Sequence, residues 1–195
     1  MKKEEIFEEL LQECRKAYTA HPELMNFTPF PDDIEKQVMS SYHCPCSDFF
    51  RDEKSLKPEK FASLQNSIVS AGQIAHWRET YKDTNIGEDF MNRFGCYCII
   101  GHNGPFISDH IRLFMVYMPA NLHYPWHHHP AEEVYMVVSG SAVFMMKDAE
   151  DKTLREGDTS FHSSNRPHAM ETLDEPVLCL VVWRDQFETA PVLTE

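Results

Sequence analysis

The segment Tyr124-Pro-Trp-His-His-His-Pro-Ala-Glu-Glu-Val-Tyr135, running on into Met-Val-Val-Ser-Gly140, constrains this chain more than any other. His127, His129, Glu133 and Tyr135 share odd parity, and on extended backbone residues two apart point to one face. These side chains can therefore converge inside a β-barrel. Neutral imidazole and carboxylate are ligands that Fe(II), Zn, Mn, Co and Ni all accept. A further candidate, His168, follows the turn at Gly157-Asp158 on a segment that an antiparallel fold can return beside the first. Three consecutive histidines also occur as surface clusters, and Glu132-Glu133 could be a solvated pair. The metal reading rests on HxHxxxE, an apolar strand, Ser-Gly and a later Gly-Asp…His standing in series. The expected cofactor is one divalent transition metal ion.

Around this segment the second half of the chain reads as short strands. Apolar runs stand at Cys96–Ile100, Ile111–Met118, Val134–Val138, Ala142–Met146 and Val177–Trp183. Turn signals separate them at 101–105, Ser139-Gly140, 156–158 and 174–176, the pattern of an antiparallel sandwich or barrel. The first half reads as helices. Ile6, Phe7, Leu10, Leu11, Cys14 and Tyr18 form one stripe on a helix ending near His21-Pro22. Pro31-Asp32-Asp33 reads as a second helix start, with Ile34, Val38 and Tyr42 on one face. A third helix is expected from about Pro58 toward Tyr81, with Phe61, Leu64, Ile68, Ala71 and Ala75 as its apolar side. The expected organisation is a helical region over 1–90 packed on a β-barrel over 91–195 that carries the metal site.

Charge narrows the partners. Lys and Arg number 18 against 31 Asp and Glu, giving −13 at pH 7. So acidic a surface repels phosphate backbones and anionic lipid, which argues against nucleic acid and membrane partners. No stretch approaches the roughly 20 apolar residues of a membrane span, and the charged N-terminus lacks a signal-peptide run. A cytoplasmic location is expected, with the chain a monomer or homodimer. Of the six cysteines, Cys44/Cys46 and Cys96/Cys98 are spaced too closely for the usual structural zinc site. Reduced, buried thiols are the expectation.

His127-x-His129-x3-Glu133-x6-Gly140 resembles the first cupin motif, GX5HXHX3-4EX6G, with Asn121 in place of its leading Gly. The second motif, GX5PXGX2HX3N, is matched by Gly157 and His168, while Ser163, Asn165 and Thr172 replace its Pro, Gly and Asn. Asn165 is a mild replacement, because Asn tolerates the left-handed turn conformation. Together with GHNGPF at Gly101–Phe106 and RPHAME, the segment resembles the cupin-type dimethylsulfoniopropionate (DMSP) lyases and their lyase-like relatives. That resemblance implies a mainly β fold, a single cupin (double-stranded β-helix, jelly-roll) barrel preceded by an N-terminal α-helical region. It implies His127, His129, Glu133 and His168 as metal ligands, with Tyr135 as a candidate base and Tyr124 beside it in the active site. It implies a metal-dependent carbon–sulfur lyase that cleaves a small zwitterion, DMSP, to dimethyl sulfide and acrylate by β-elimination. A metal-bound substrate carboxylate would acidify the neighbouring Cα–H. A dioxygenase or isomerase built on the same ligands is the alternative, and a non-catalytic binding cupin is a third reading. Trp126, Phe106, Phe161, Trp183 and Tyr117 are aromatic candidates for the sulfonium, although large aromatics more often simply fill a barrel core. By alternation His128 should point away from its neighbours, while His162 is left open between a supporting role and simple exposure.

Overall fold

The computed structural model describes residues 2–194. Among these, the helices are α1 (Lys3–Ala20), α2 (Pro22–Phe27), α3 (Pro45–Asp52), α4 (Ala62–Gly72) and α5 (Glu88–Arg93). The strands are β1 (Glu35–Lys36), β2 (Gly95–Ile100), β3 (Phe106–Ile107), β4 (Arg112–Met118), β5 (Leu122–His128) and β6 (Glu132–Met146). They continue with β7 (Lys152–Arg155), β8 (Thr159–His162), β9 (His168–Thr172), β10 (Val177–Arg184) and β11 (Val192–Leu193). The fold is the expected one, mainly β with a cupin-type double-stranded β-helix behind N-terminal helices. Its hydrogen-bonded strand order is linear, β1-β3-β2-β4-β10-β6-β9-β5-β11, so the sheet folds over without closing into a ring. Among the described residues no helix is long and apolar enough to cross a membrane.

The long strand β6 serves both layers. Residues 132–140 pair with β10, and Glu133–Met136 also pair with β8. Beyond Gly140, β6 pairs with β7 and then with β9. The sequence reading placed a turn at Ser139-Gly140, and here it is corrected. Gly140 has φ +76°, and the register against β10 slips between Leu178 and Cys179, so the chain bends at a bulge and continues as strand.

β6 and β10 are buried on both faces, which explains why their sequences are continuous apolar runs and do not alternate. Val134, Met136, Val138, Leu178, Leu180 and Val182 pack in one core with Leu10 and Tyr18 of α1, Phe50 of α3 and Ile68 of α4. Tyr135, Val137, Cys179, Val181 and Trp183 face the other core, between the two layers, with Tyr124, Phe144 and Met170. Up to the bulge the odd-numbered residues of β6 thus line the interior of the double-stranded helix; beyond it the even-numbered Ala142 and Phe144 do.

Two helical expectations are corrected. Residues 31–42 form no helix; β1 pairs with β3, and the Asp33 carboxylate accepts from Ser108 Oγ at 2.7 Å and the Asp109 N–H at 2.8 Å. The third helix is shorter than expected and stops at Gly72, after which the chain runs out through bridges Tyr42–His76 and Trp77–Tyr97. All six cysteines are free and buried.

Candidate metal centre and active-site cavity

β5 delivers His127 and continues into His129, β6 delivers Glu133 and Tyr135, and β9 opens on His168. His127 pairs with His168 across the β5–β9 ladder, and Glu133 pairs with His162 across β6–β8. Asn121 and Asn165, which stand where the cupin motifs carry glycine, both sit at φ +57°. The left-handed turn is kept with a side chain that tolerates it better than most. The Asn165 N–H donates to the His129 carbonyl at 2.8 Å, tying that turn to the histidine segment.

All three imidazoles are held the same way. His127 Nδ1–H donates to the Pro125 carbonyl at 2.8 Å, His129 Nδ1–H to Ala131 at 2.9 Å, and His168 Nδ1–H to Arg166 at 2.8 Å. Each bond fixes the tautomer and leaves Nε2 as a bare lone pair. The three rings form a compact ligand group, each about 2% exposed. His129 Nε2 and His168 Nε2 are fully buried and have no hydrogen-bond partner. Unpartnered buried polar atoms are costly, and a cation among them would satisfy both.

Glu133 completes the group from the opposite strand. Its Oε2 lies 3.5 Å from His129 Nε2 and 3.2 Å from His168 Nε2. Burial works against the carboxylate, yet His129, His162 and His168 hold it well below the usual carboxylate range. His129 is raised by the same pairing, although its own burial opposes the charged form. Burial, reinforced by His168, pushes His127 well below the usual imidazole value. The centre therefore carries a full negative charge on Glu133 and attracts one positive charge, proton or metal. His, His, His and Glu form a donor set that first-row divalent ions accept.

Tyr124 and Tyr135 stand on the walls of this site. Tyr124 stacks on His127 with ring centroids 4.0 Å apart, and Tyr135 lies 5.5 Å from the His162 ring. Both line a cavity of about 30 Å³ together with His127, His129 and Glu133. Burial is the main reason that both phenols are raised well above their ordinary value. The aromatic reading is corrected in part. Of the five sulfonium candidates only Trp183 lines the cavity; Phe94 and Phe114 supply the rest of that wall. Phe106 and Tyr117 belong to the core under the helices, and Trp126 and Phe161 lie on the surface.

Three residues make contacts here that the sequence did not assign to them. His162 is buried, takes the Ser160 hydroxyl on Nε2 at 2.9 Å and donates from Nδ1 to Glu133 Oε2 at 2.9 Å. Trp183 Nε1–H donates to the other oxygen, Oε1, at 2.5 Å. Tyr81, in the irregular stretch before α5, shares a 2.7 Å hydrogen bond with the Tyr124 hydroxyl and is 2% exposed. His128 turns away, as alternation requires, to Thr194 Oγ1 at 2.8 Å.

The comparisons with known proteins agree with this geometry. Residues 33–179 match the family model for DMSP lyase. The chain is 42% identical over 188 residues to the DMSP lyase DddQ of Ruegeria pomeroyi, covering 96% of this chain and 94% of that protein. The crystal structure of DMSP lyase DddQ from Ruegeria pomeroyi superposes with a TM-score of 0.95 at 41% identity, covering 97% of this chain and 96% of that one. A structure from a study of the DMSP lyases RdDddP and RnDddQII matches with a TM-score of 0.95 at 33% identity over the whole of both chains. With so large a share of its length matched in sequence and in fold, the chain belongs to the DMSP lyase family.

Proposed function

We propose that this chain is a cytoplasmic, metal-dependent carbon–sulfur lyase that converts DMSP to dimethyl sulfide and acrylate. The observation that carries the reading is the pairing of a buried His–His–Glu–His cluster with two phenols that line the cavity beside it. His127, His129 and His168 would hold the ion through Nε2 and Glu133 through Oε2, leaving the cavity side for substrate. A bound divalent ion supplies Lewis acidity, which favours phenolate nearby and draws charge from a substrate carboxylate. Tyr135 takes the proton from Cα onto its oxygen. The released electron pair becomes the Cα–Cβ double bond, the Cβ–S bond breaks, and sulfur leaves as neutral dimethyl sulfide. Tyr124 orients the substrate from its place against His127, with its hydroxyl held by Tyr81. Burial of the cavity keeps water away from the developing carbanion. The reaction moves one proton and one leaving group and needs no redox step.

Headspace detection of dimethyl sulfide from metal-loaded protein given DMSP tests the reading directly. Release that disappears with chelator and returns with metal is expected; oxygen consumption without dimethyl sulfide would replace the lyase by oxygen chemistry on the same ligands. Tyr135→Phe removes only a hydroxyl, so metal content should hold while the rate falls by about 10²–10⁴, the usual share of a general base. Nearly full dimethyl sulfide release from that variant would remove Tyr135 from the role.

A further inference from the structure

Arg78 is the residue that the proposed reaction leaves without a task. It lines the inner cavity with Tyr135 and Glu133, and it also lines a second cavity of about 190 Å³ that opens outward past His102 and Arg112. It therefore stands at the junction between solvent and the reacting centre. Its place is fixed: the backbone N–H donates to the Cys96 carbonyl at 2.8 Å, and the guanidinium lies 4.8 Å from the centroid of the Phe114 ring. The side chain also reaches the Cys96 thiol, which burial lifts to about 11 while the arginine charge pulls it down.

What Arg78 lacks is an anion. Among the described residues it takes part in no ion pair, in a chain whose acidic groups outnumber its basic ones by 13. Arg112, the other arginine of the outer cavity, is already engaged by Glu188 and by the Ser108 and Ile111 carbonyls, and it stacks on Phe187 at 3.9 Å. A half-buried guanidinium with its face on an aromatic ring and no carboxylate on its N–H edge is shaped for a planar carboxylate.

We propose that Arg78 is the carboxylate-recognition residue of the site, drawing a small monocarboxylate in from the outer cavity and holding one of its oxygens opposite the His–Glu centre. The assignment rests on the lyase reading for its substrate, and it sets that substrate's direction. A guanidinium repels a sulfonium, so the carboxylate lies between Arg78 and the metal ligands, while the sulfonium lies against the Phe94, Tyr124 and Trp183 rings. As the Cα proton leaves, charge moves onto the carboxylate, and a fixed cation stabilises it there.

The test compares propionate with propionamide, two inert molecules of like shape that differ in charge, by ligand-observed NMR titration of the metal-loaded full chain. The wild type should prefer propionate. Arg78→Gln should cut that preference on the order of ten- to a hundredfold, and Arg78→Lys should retain part of it. An unchanged preference in Arg78→Gln, or equal weakening of propionate and propionamide, overturns the assignment. Dimethyl sulfide release by the same wild-type preparation reports on the lyase reading separately. A propionate preference lost in Arg78→Gln, with no dimethyl sulfide from the wild type, would leave Arg78 standing and retire DMSP as its ligand.

Discussion

A buried carboxylate is costly unless both its oxygens are engaged, and Glu133 has one fixed N–H donor on each: His162 on Oε2 and Trp183 on Oε1. The acceptor-only carboxylate fixes the proton on His162 Nδ1, so Ser160 Oγ–H donates to Nε2, and this chain of hydrogen bonds holds Oε2 toward His129 and His168. Such supporting bonds commonly contribute 10- to 100-fold to metal affinity. His162→Ala should weaken binding of a divalent ion by about that factor in a chelator competition, whereas His162→Asn, which keeps a donor near the Nδ1 position, should lose less. Equal affinity in both variants and the wild type would mean that Glu133 orients itself. At this scale the sequence is legible where chemistry follows local parity. His127, His129, Glu133 and Tyr135 sit two or four residues apart on extended backbone, so their common face can be read without a structure. His162 could not be read so, because its partner is set by the β6–β8 register, a pairing 29 residues apart. Arg78 and Tyr81 fall in what reads as the end of the third helix, past the last stripe residue Ala75, and nothing near them in the chain signals that the segment leaves the helix and folds beside the cavity.

At the scale of elements, Gly140 decides whether β6 is one strand or two. A Cβ built there would lie 1.9 Å from the Pro176 carbonyl oxygen, and its φ of +76° already disfavours other residues. Gly140→Ala should therefore destabilise the fold by about 1–3 kcal/mol for the backbone conformation alone, with the clash adding to it. A urea midpoint within error of the wild type would show that the bulge can re-form around a methyl group. Ser-Gly between two apolar runs reads as a hairpin turn because turns and bulges demand the same left-handed residue. Only the pairing partners tell them apart, and Gly140 finds its own in β10 at Val177, 37 residues on. The misread helix at 31–42 has a similar origin. Pro-Asp-Asp is a good helix start, but here Asp33 accepts the hydroxyl and N–H of Ser108-Asp109 and holds the chain extended beside β3. By contrast α1 was legible to its end, because its stripe is long and His21-Pro22 closes it.

For the whole molecule, the buried histidines set the response to acid. Burial above all, then the neighbouring His168, holds His162 at about 4, below the ordinary imidazole value. Between those values the unfolded chain binds more protons, so stability is complete above about pH 6.5 and falls as pH drops toward 4. His127 acts in the same direction; His129, which is raised, opposes it, since its contribution is lost as pH rises through its folded value. Glu133, held low, adds a further loss only below its ordinary range, near pH 4. The unfolding free energy of chelator-treated protein, read by urea titration, should therefore fall between pH 7.5 and 5, with His162 contributing about 2 kcal/mol of the loss. A midpoint that rises on acidification would put His129 in control. The second whole-molecule expectation concerns the helices. The face of β4, β6 and β10 that carries Leu113, Met115, Val134, Met136, Leu178, Leu180 and Val182 is no more than 4% exposed, and its cover is the helical layer. A strand face of that composition left in water is an aggregation surface. The region 1–90 should accordingly behave as part of one folding unit with 91–195. Limited proteolysis of the full chain should release no folded fragment near residues 1–90, and a chain begun at residue 91 should be insoluble or lack near-UV circular dichroism. A soluble 91–195 fragment with a native aromatic spectrum would show that the β-helix carries its own stability, and that the helices serve only to cover it.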